Sequence, residues 1–170
     1  MNKLFMVYMG GSAAGAHIEL HDIRFVVGAN IEATYGQLKR QWFGDKNSAH
    51  MDSYVHVHHV DGYKIKLQQS PPEQHKTLYF VNFGGYFPGR MAEFHDFTLV
   101  VAQSADEAKL QAKKLVKVAG LADCEQLHTD DLLEVDNCLQ LDLIDGYYIH
   151  LVPDGGQQTL EPDWMGYQPL

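Results

Sequence analysis

The chain repeats itself, and this constrains its fold more than any other feature. Residues 4–27 read LFMVYMGGSAAGAHIELHDIRFVV, and residues 78–101 read LYFVNFGGYFPGRMAEFHDFTLVV. At an offset of 74, ten of these 24 positions are identical, including Gly10/Gly84, Glu19/Glu93, His21/His95 and Asp22/Asp96. Composition alone would give about one or two. Further along, His50-Met51-Asp52 aligns with His128-Thr129-Asp130, and Val60-Asp61-Gly62-Tyr63 with Ile144-Asp145-Gly146-Tyr147. A segment used twice is one supersecondary unit that buries its apolar face against its copy. The expected division is unit one at 1–70, a linker at 71–76, unit two at 77–152, and an irregular extension at 153–170. Pro71 and Pro72 open the linker and stop any element from running through it. The extension has no counterpart in the repeat, but Trp164 and Tyr167 offer side chains to dock it.

Both units read alike. Leu4–Met9 is a short apolar run, a buried strand, broken by glycines at 10, 11 and 15. Ile23–Gly28, rich in β-branched residues, is a second strand. Ile31, Tyr35, Leu38 and Trp42 then fall on one helical stripe, with Asn30 as N-cap. In the second copy Ser104 and Glu107 make a capping box, and Ala105, Ala108, Ala112 and Leu115 make the stripe. Tyr54–Val60 and Tyr63–Leu67 flank Asp61-Gly62, a signal for a two-residue hairpin; Cys138–Ile144 and Tyr147–Leu151 do the same around Asp145-Gly146. The predicted class is α+β: a tandem β-β-α-β-β unit, each copy a helix on a small, mostly antiparallel sheet. The copies are expected to be related by a pseudo-twofold axis and to share a core.

Charge narrows the partners. Twenty-two acidic against thirteen basic residues give a net charge of −9, which repels phosphate backbones and anionic lipid. Nucleic acid and membrane are therefore not expected as partners. The basic stripe Lys109, Lys113 and Lys117 reads as a solvated helix face. Cys124 and Cys138 have no metal-ligand spacing and suit a reducing compartment. The apolar run near the N-terminus resembles a secretory signal, but six residues are too few and the run returns at 78–83, so the chain is read as cytoplasmic.

The polar residues that recur are Glu19, His21, Asp22, His50 and Asp52 in unit one, and Glu93, His95, Asp96, His128 and Asp130 in unit two. Imidazole and carboxylate together suit zinc, manganese or iron. The candidate ligands of a divalent metal are Glu19, His21 and His50, with Glu93, His95 and His128 in the second copy. His21, Asp22 and Asp52 are the candidates for acid–base work. Against this stands a structural reading, in which histidine and aspartate beside a glycine loop satisfy backbone amides and fix the loop. His56 and His58 share a strand face, but their counterparts are Gln140 and Asp142, so they read as the wet face.

Leu4–Gly11, Ile18–Gly28, Trp42-Phe43-Gly44, His50–Ser53 and Val60–Tyr63 together resemble a small bacterial family, DUF1543, known as a domain of unknown function. Copy two keeps the Gly-Gly, Glu-x-His-Asp and Asp-Gly-Tyr parts and lacks Trp-Phe-Gly. The resemblance implies one or two copies of a domain and brings no activity. The first functional reading is a non-catalytic binding or interaction protein, its small-molecule or protein partner in the groove between the units, with homo-oligomers allowed. The alternative is a metal-dependent hydrolase using the set in unit one.

Overall fold

The structure is a computed structural model and describes residues 1–85, 89–118 and 135–170. Unit one runs β1 (Lys3–Gly11), β2 (Leu20–Gly28), a 3-10 turn (Glu32–Thr34), α1 (Tyr35–Gln41), β3 (His50–Val57), β4 (His59–Val60) and β5 (Tyr63–Gln68). Unit two runs β6 (Thr77–Gly85), β7 (Phe94–Ala102), α2 (Ala105–Val118), β8 (Val135–Leu141), β9 (Leu143–Ile144) and β10 (Tyr147–Pro153); β11 (Trp164–Pro169) follows. The class is α+β, with mostly antiparallel sheets and the domain present twice.

Strands β1 and β6 are each the middle of a three-stranded core, β3-β1-β2 and β8-β6-β7. Both of their faces are covered, which is why they read as unbroken apolar runs rather than alternating ones. Phe5, Val7 and Met9 pack against Leu38 and Trp42 beneath α1. Tyr79, Val81 and Phe83 pack against Ala108 and Ala112 beneath α2. The opposite faces, Leu4 and Met6 with Leu78 and Phe80, meet in one core to which both units contribute. Phe25 of unit one sets its ring edge-on to Phe80 of unit two, 5.4 Å between centroids.

The expected β-β-α-β-β unit needs one correction. The long strand after each helix breaks, at His58 and at Asp142, leaving the two-residue strands β4 and β9. His58 and Asp142 carbonyls accept from Ile65 and Ile149 N–H, both at 2.9 Å. The break turns the hairpin arms out of their own sheets into a third sheet, ordered β4-β5-β10-β9, where β5 pairs antiparallel with β10. Each unit thus lends its last strand to a joint sheet.

The turns at the ends of those arms lock the exchange. Asp61 and Gly62 have φ of 50° and 83°, and Asp145 and Gly146 have 51° and 81°. Two successive positive φ values are the type I′ geometry that Asp-Gly favours. The aspartate side chains then reach across. Asp145 Oδ2 accepts from Val27 N–H, and Asp61 Oδ2 accepts from Val101 N–H, each at 2.7 Å. The donors are equivalent positions of β2 and β7, so the two bonds are reciprocal.

Local signals fare as follows. Asn30 Oδ1 accepts from Ala33 N–H at 3.0 Å. In the capping box Glu107 N–H donates to Ser104 Oγ, and Glu107 Oε2 accepts from Gln103 N–H. Leu115, assigned to the buried stripe, is 47% exposed and lies off it. The extension is not irregular throughout: β11 pairs with β3, Trp164 opposite Tyr54 and Pro169 opposite His50. β3 would otherwise present a free edge of backbone donors and acceptors, which the tail covers. Gln158 and Asp163 bond the His58 and His56 amides, so His56 is half-buried rather than on an open face. Cys138 is a free thiol beside α2, and Cys124 lies outside the described residues.

Replacing Asp145 by Gly keeps the positive φ and removes only the cross-unit acceptor. It is expected to destabilise the chain by about 1–3 kcal/mol, the cost of a partly buried N–H left unpaired. Asp61→Gly should cost about the same. Urea denaturation checks both, and a loss confined to one variant would show that the bonds are not equivalent.

Candidate functional site

The candidate site lies where β2, β1 and β3 run side by side. In this row His21 pairs with Gly10, and Gly10 with His50. The two histidines are therefore two strand spacings apart, about 9–10 Å between backbones, with a glycine between them. That glycine is required. A Cβ on Gly10 would overlap the His50 ring and stand 3.0 Å from Asp52 Oδ2. With no side chain in the middle of the row, those on either side lean over it.

Asp52 is delivered by an irregularity. Tyr8 pairs with Ser53 and Met9 with Met51, so Asp52 is the extra residue of a β-bulge. Bulges re-aim a side chain, and this one brings Asp52 over Gly10 beside His50. Glu19 stands two residues before His21, on the same side. The four groups alternate around the glycine. His21 Nε2 lies 3.6 Å from Glu19 Oε2 and 3.4 Å from Asp52 Oδ2. His50 Nε2 lies 3.2 Å from Glu19 Oε1 and 3.4 Å from Asp52 Oδ1.

The surroundings fix the inner half of this ring. The His50 side chain is 3% exposed, and its Nδ1 stands 2.9 Å from the Ser48 carbonyl. Its ring is faced by Tyr167 of β11 at 4.4 Å, so the docked tail forms one wall. His21 stacks on Tyr8, with centroids 5.2 Å apart and planes 9° apart. Burial, and then the charge of Asp52, raise the Tyr8 hydroxyl above the ordinary tyrosine range.

Asp22 does not join the ring. Its Oδ2 pairs with Arg24 Nη2 at 2.6 Å and its Oδ1 accepts from Ile23 N–H. Asp96 makes the same local bond to Phe97 N–H. The histidine and aspartate of the His-Asp motif thus go separate ways, and Asp22 is a backbone pin, as the structural reading has it.

Unit two carries only part of the arrangement. His95 Nε2 lies 3.4 Å from Glu93 Oε2. The alignment of His128 and Asp130 with His50 and Asp52 fails on register. Val81 pairs with Cys138, Asn82 with Asn137 and Phe83 with Val135, so the bulge residue equivalent to Asp52 is Asp136. His128 and Asp130 lie outside the described residues.

A cavity of about 400 Å³ opens between the units beside this ring. Tyr8, His21, Asp22 and Ile23 line it from unit one. From unit two come Asn82 and Asn137, paired across β6 and β8, with Phe80, His95 and Phe97. Phe97 and Tyr8 stack across the gap at 6.3 Å. Tyr8, Asn82 and Asn137 were not singled out in the sequence, and Tyr167 was noted only as a side chain that could dock the tail. Asn82 left a signal, a polar residue inside the apolar run Leu78–Phe83 at the position of Tyr8.

Comparison with known proteins adds the following. The family described as Domain of Unknown Function (DUF1543) matches residues 16–67 and again residues 90–151. The crystal structure of a protein Il1583 from Idiomarina loihiensis is similar over 100% of this chain and 99% of that chain, at 48% identity and a TM-score of 0.79. No functionally curated protein matches. Among the described residues no helix is long and apolar enough to cross a membrane.

Gly10→Ala tests the packing of the ring. The added methyl must displace the His50 ring or Asp52, and a loss of about 1–3 kcal/mol is expected, as for other overpacked sites. Gly85→Ala, where nothing among the described residues lies within 4 Å of the added carbon, is the control and should stay within about 0.5 kcal/mol of the parent. Equal melting of both variants would contradict the assigned role of Gly10.

Proposed function

The chain belongs to the DUF1543 family, from which no activity carries over, and on the geometry of the molecule we propose that it is a non-catalytic binding protein whose ligand enters the groove between its units. The observation that carries this is the cavity of about 400 Å³ lined from both units. Its size is that of a small-molecule site, and sites form where two packed units diverge.

The lining points to the ligand's chemistry. Tyr8, Phe80 and Phe97 supply flat apolar walls, and Asn82, Asn137, His21 and His95 supply donors and acceptors at the edges. Among the described residues no lysine or arginine lines the cavity, and Asp22 is already paired with Arg24. The ligand is therefore read as a small, uncharged, planar heterocycle rather than a phosphorylated or acidic molecule. The net charge of −9 sets the chain against nucleic acid for the same reason. In this reading the protein works in the cytoplasm.

The metal-dependent hydrolase is not favoured. Of the two aspartates considered as its base, Asp22 is held by Arg24 and the backbone, and nothing in the family description or the similar structure names an activity.

A thermal-shift panel of neutral nucleosides, nicotinamide and pterins, followed by calorimetry of any compound that raises the melting temperature, tests the reading. At least one class should bind, and Asn82→Leu or Asn137→Leu should weaken it by about tenfold or more, as loss of a buried polar contact does. No binding across the panel, or binding untouched in both variants, would contradict it.

A further inference from the structure

We propose that Glu19, His21, His50 and Asp52 form a binding site for a divalent transition metal of the zinc class. This goes beyond the groove reading and does not depend on it. The donor chemistry of His50 is the first support. Its Nδ1 faces the Ser48 carbonyl at 2.9 Å, and a carbonyl only accepts, so Nδ1 carries a proton. Its Nε2 then faces two carboxylates, which also only accept when ionised, at 3.2 and 3.4 Å. A neutral imidazole would set its lone pair against both of them in a buried place. A metal ion between the groups would turn that lone pair and both carboxylates to one centre. A histidine whose Nδ1–H is held by a carbonyl so that Nε2 points at the ion is the usual support of a metal ligand.

Asp52 is the second support. Its Oδ2 is buried and has no hydrogen-bond partner among the described residues, although it points into the ring. A bound ion would satisfy it. The four nitrogen–oxygen separations run from 3.2 to 3.6 Å, each carboxylate meeting the two imidazoles through different oxygens. Among the described residues no three such side chains yet enclose a common point as ligands. Capture therefore requires the exposed pair, Glu19 and His21, to close on the fixed pair, His50 and Asp52; their side chains are 50% and 35% exposed, against 3% and 26%. Two imidazoles with two carboxylates favour zinc over calcium or magnesium, which take oxygen ligands. The four donors all belong to unit one, so one ion is expected there.

The experiment is zinc titration of the full chain by calorimetry after chelator treatment and dialysis, with cobalt as a spectroscopic probe. The expected result is one ion per chain and the intense visible bands of a tetrahedral cobalt site, with no competition from millimolar magnesium or calcium. Glu19→Gln and His21→Ala alter exposed side chains and spare the fold; each should weaken zinc binding about tenfold or more. His75→Ala, an exposed histidine outside both sites, should leave it unchanged. Absence of saturable zinc uptake would overturn the proposal. So would uptake that persists unchanged in the Glu19→Gln/His21→Ala double variant with parental melting. Neither result touches the groove reading, whose variants lie at Asn82 and Asn137.

Discussion

The reciprocal exchange between the two units is the constraint on which the rest of the structure depends. Each unit gives its last strand to a joint sheet, where β5 pairs with β10. Each also extends an aspartate from a tight turn to close the open N–H of the other unit's second strand, Asp145 to Val27 and Asp61 to Val101. The turn residue is thereby used twice. It accepts the positive φ that the hairpin needs, and its carboxylate reaches across the junction. A unit of about 70 residues has a small core of its own. Here the shared core, with Leu4 and Phe25 facing Leu78 and Phe80, supplies burial that neither half achieves alone.

The same exchange makes the groove and then breaks its symmetry. The sheets touch along the even-numbered positions of β1 and β6 and diverge at Tyr8 and Asn82, next to the glycines that end the strands. Beyond that point unit one fills its glycine row with two histidines and two carboxylates. Unit two carries Glu93 and His95 there, and its bulge holds Asp136. The tail adds to the difference, because β11 caps β3 of unit one and sets Tyr167 against His50. Duplication supplied the scaffold, and among the described residues unit one holds the denser polar set.

Much of this was legible in the sequence. The repeat, the two Asp-Gly turns, the capping box at Ser104 and the stripe of Ile31, Leu38 and Trp42 are local signals with local causes, and each has its counterpart in the structure. Glu19, His21, His50 and Asp52 could be picked out by composition, since glycine-flanked His and Asp recur. Their convergence could not. It depends on Gly10 standing between two strands and on a bulge at Asp52, which are properties of strand pairing. The destination of β5 and β10 was hidden for the same reason, because a hairpin reads alike whether its arms stay in their sheet or leave it. The place of Asp136 at the bulge position of Asp52 is likewise set by register, which two identical residues in a three-residue match do not reveal.

The central claim is that exchange makes the chain one cooperative body. Native-state hydrogen exchange on the full chain tests it most directly, with Val7 in β1 and Val81 in β6 as reporters, since both are fully buried. The account predicts that the two amides open with the same free energy, equal to that of global unfolding. Protection differing by more than about 2 kcal/mol, with one unit opening while the other stays closed, would mark two independent foldons and contradict it.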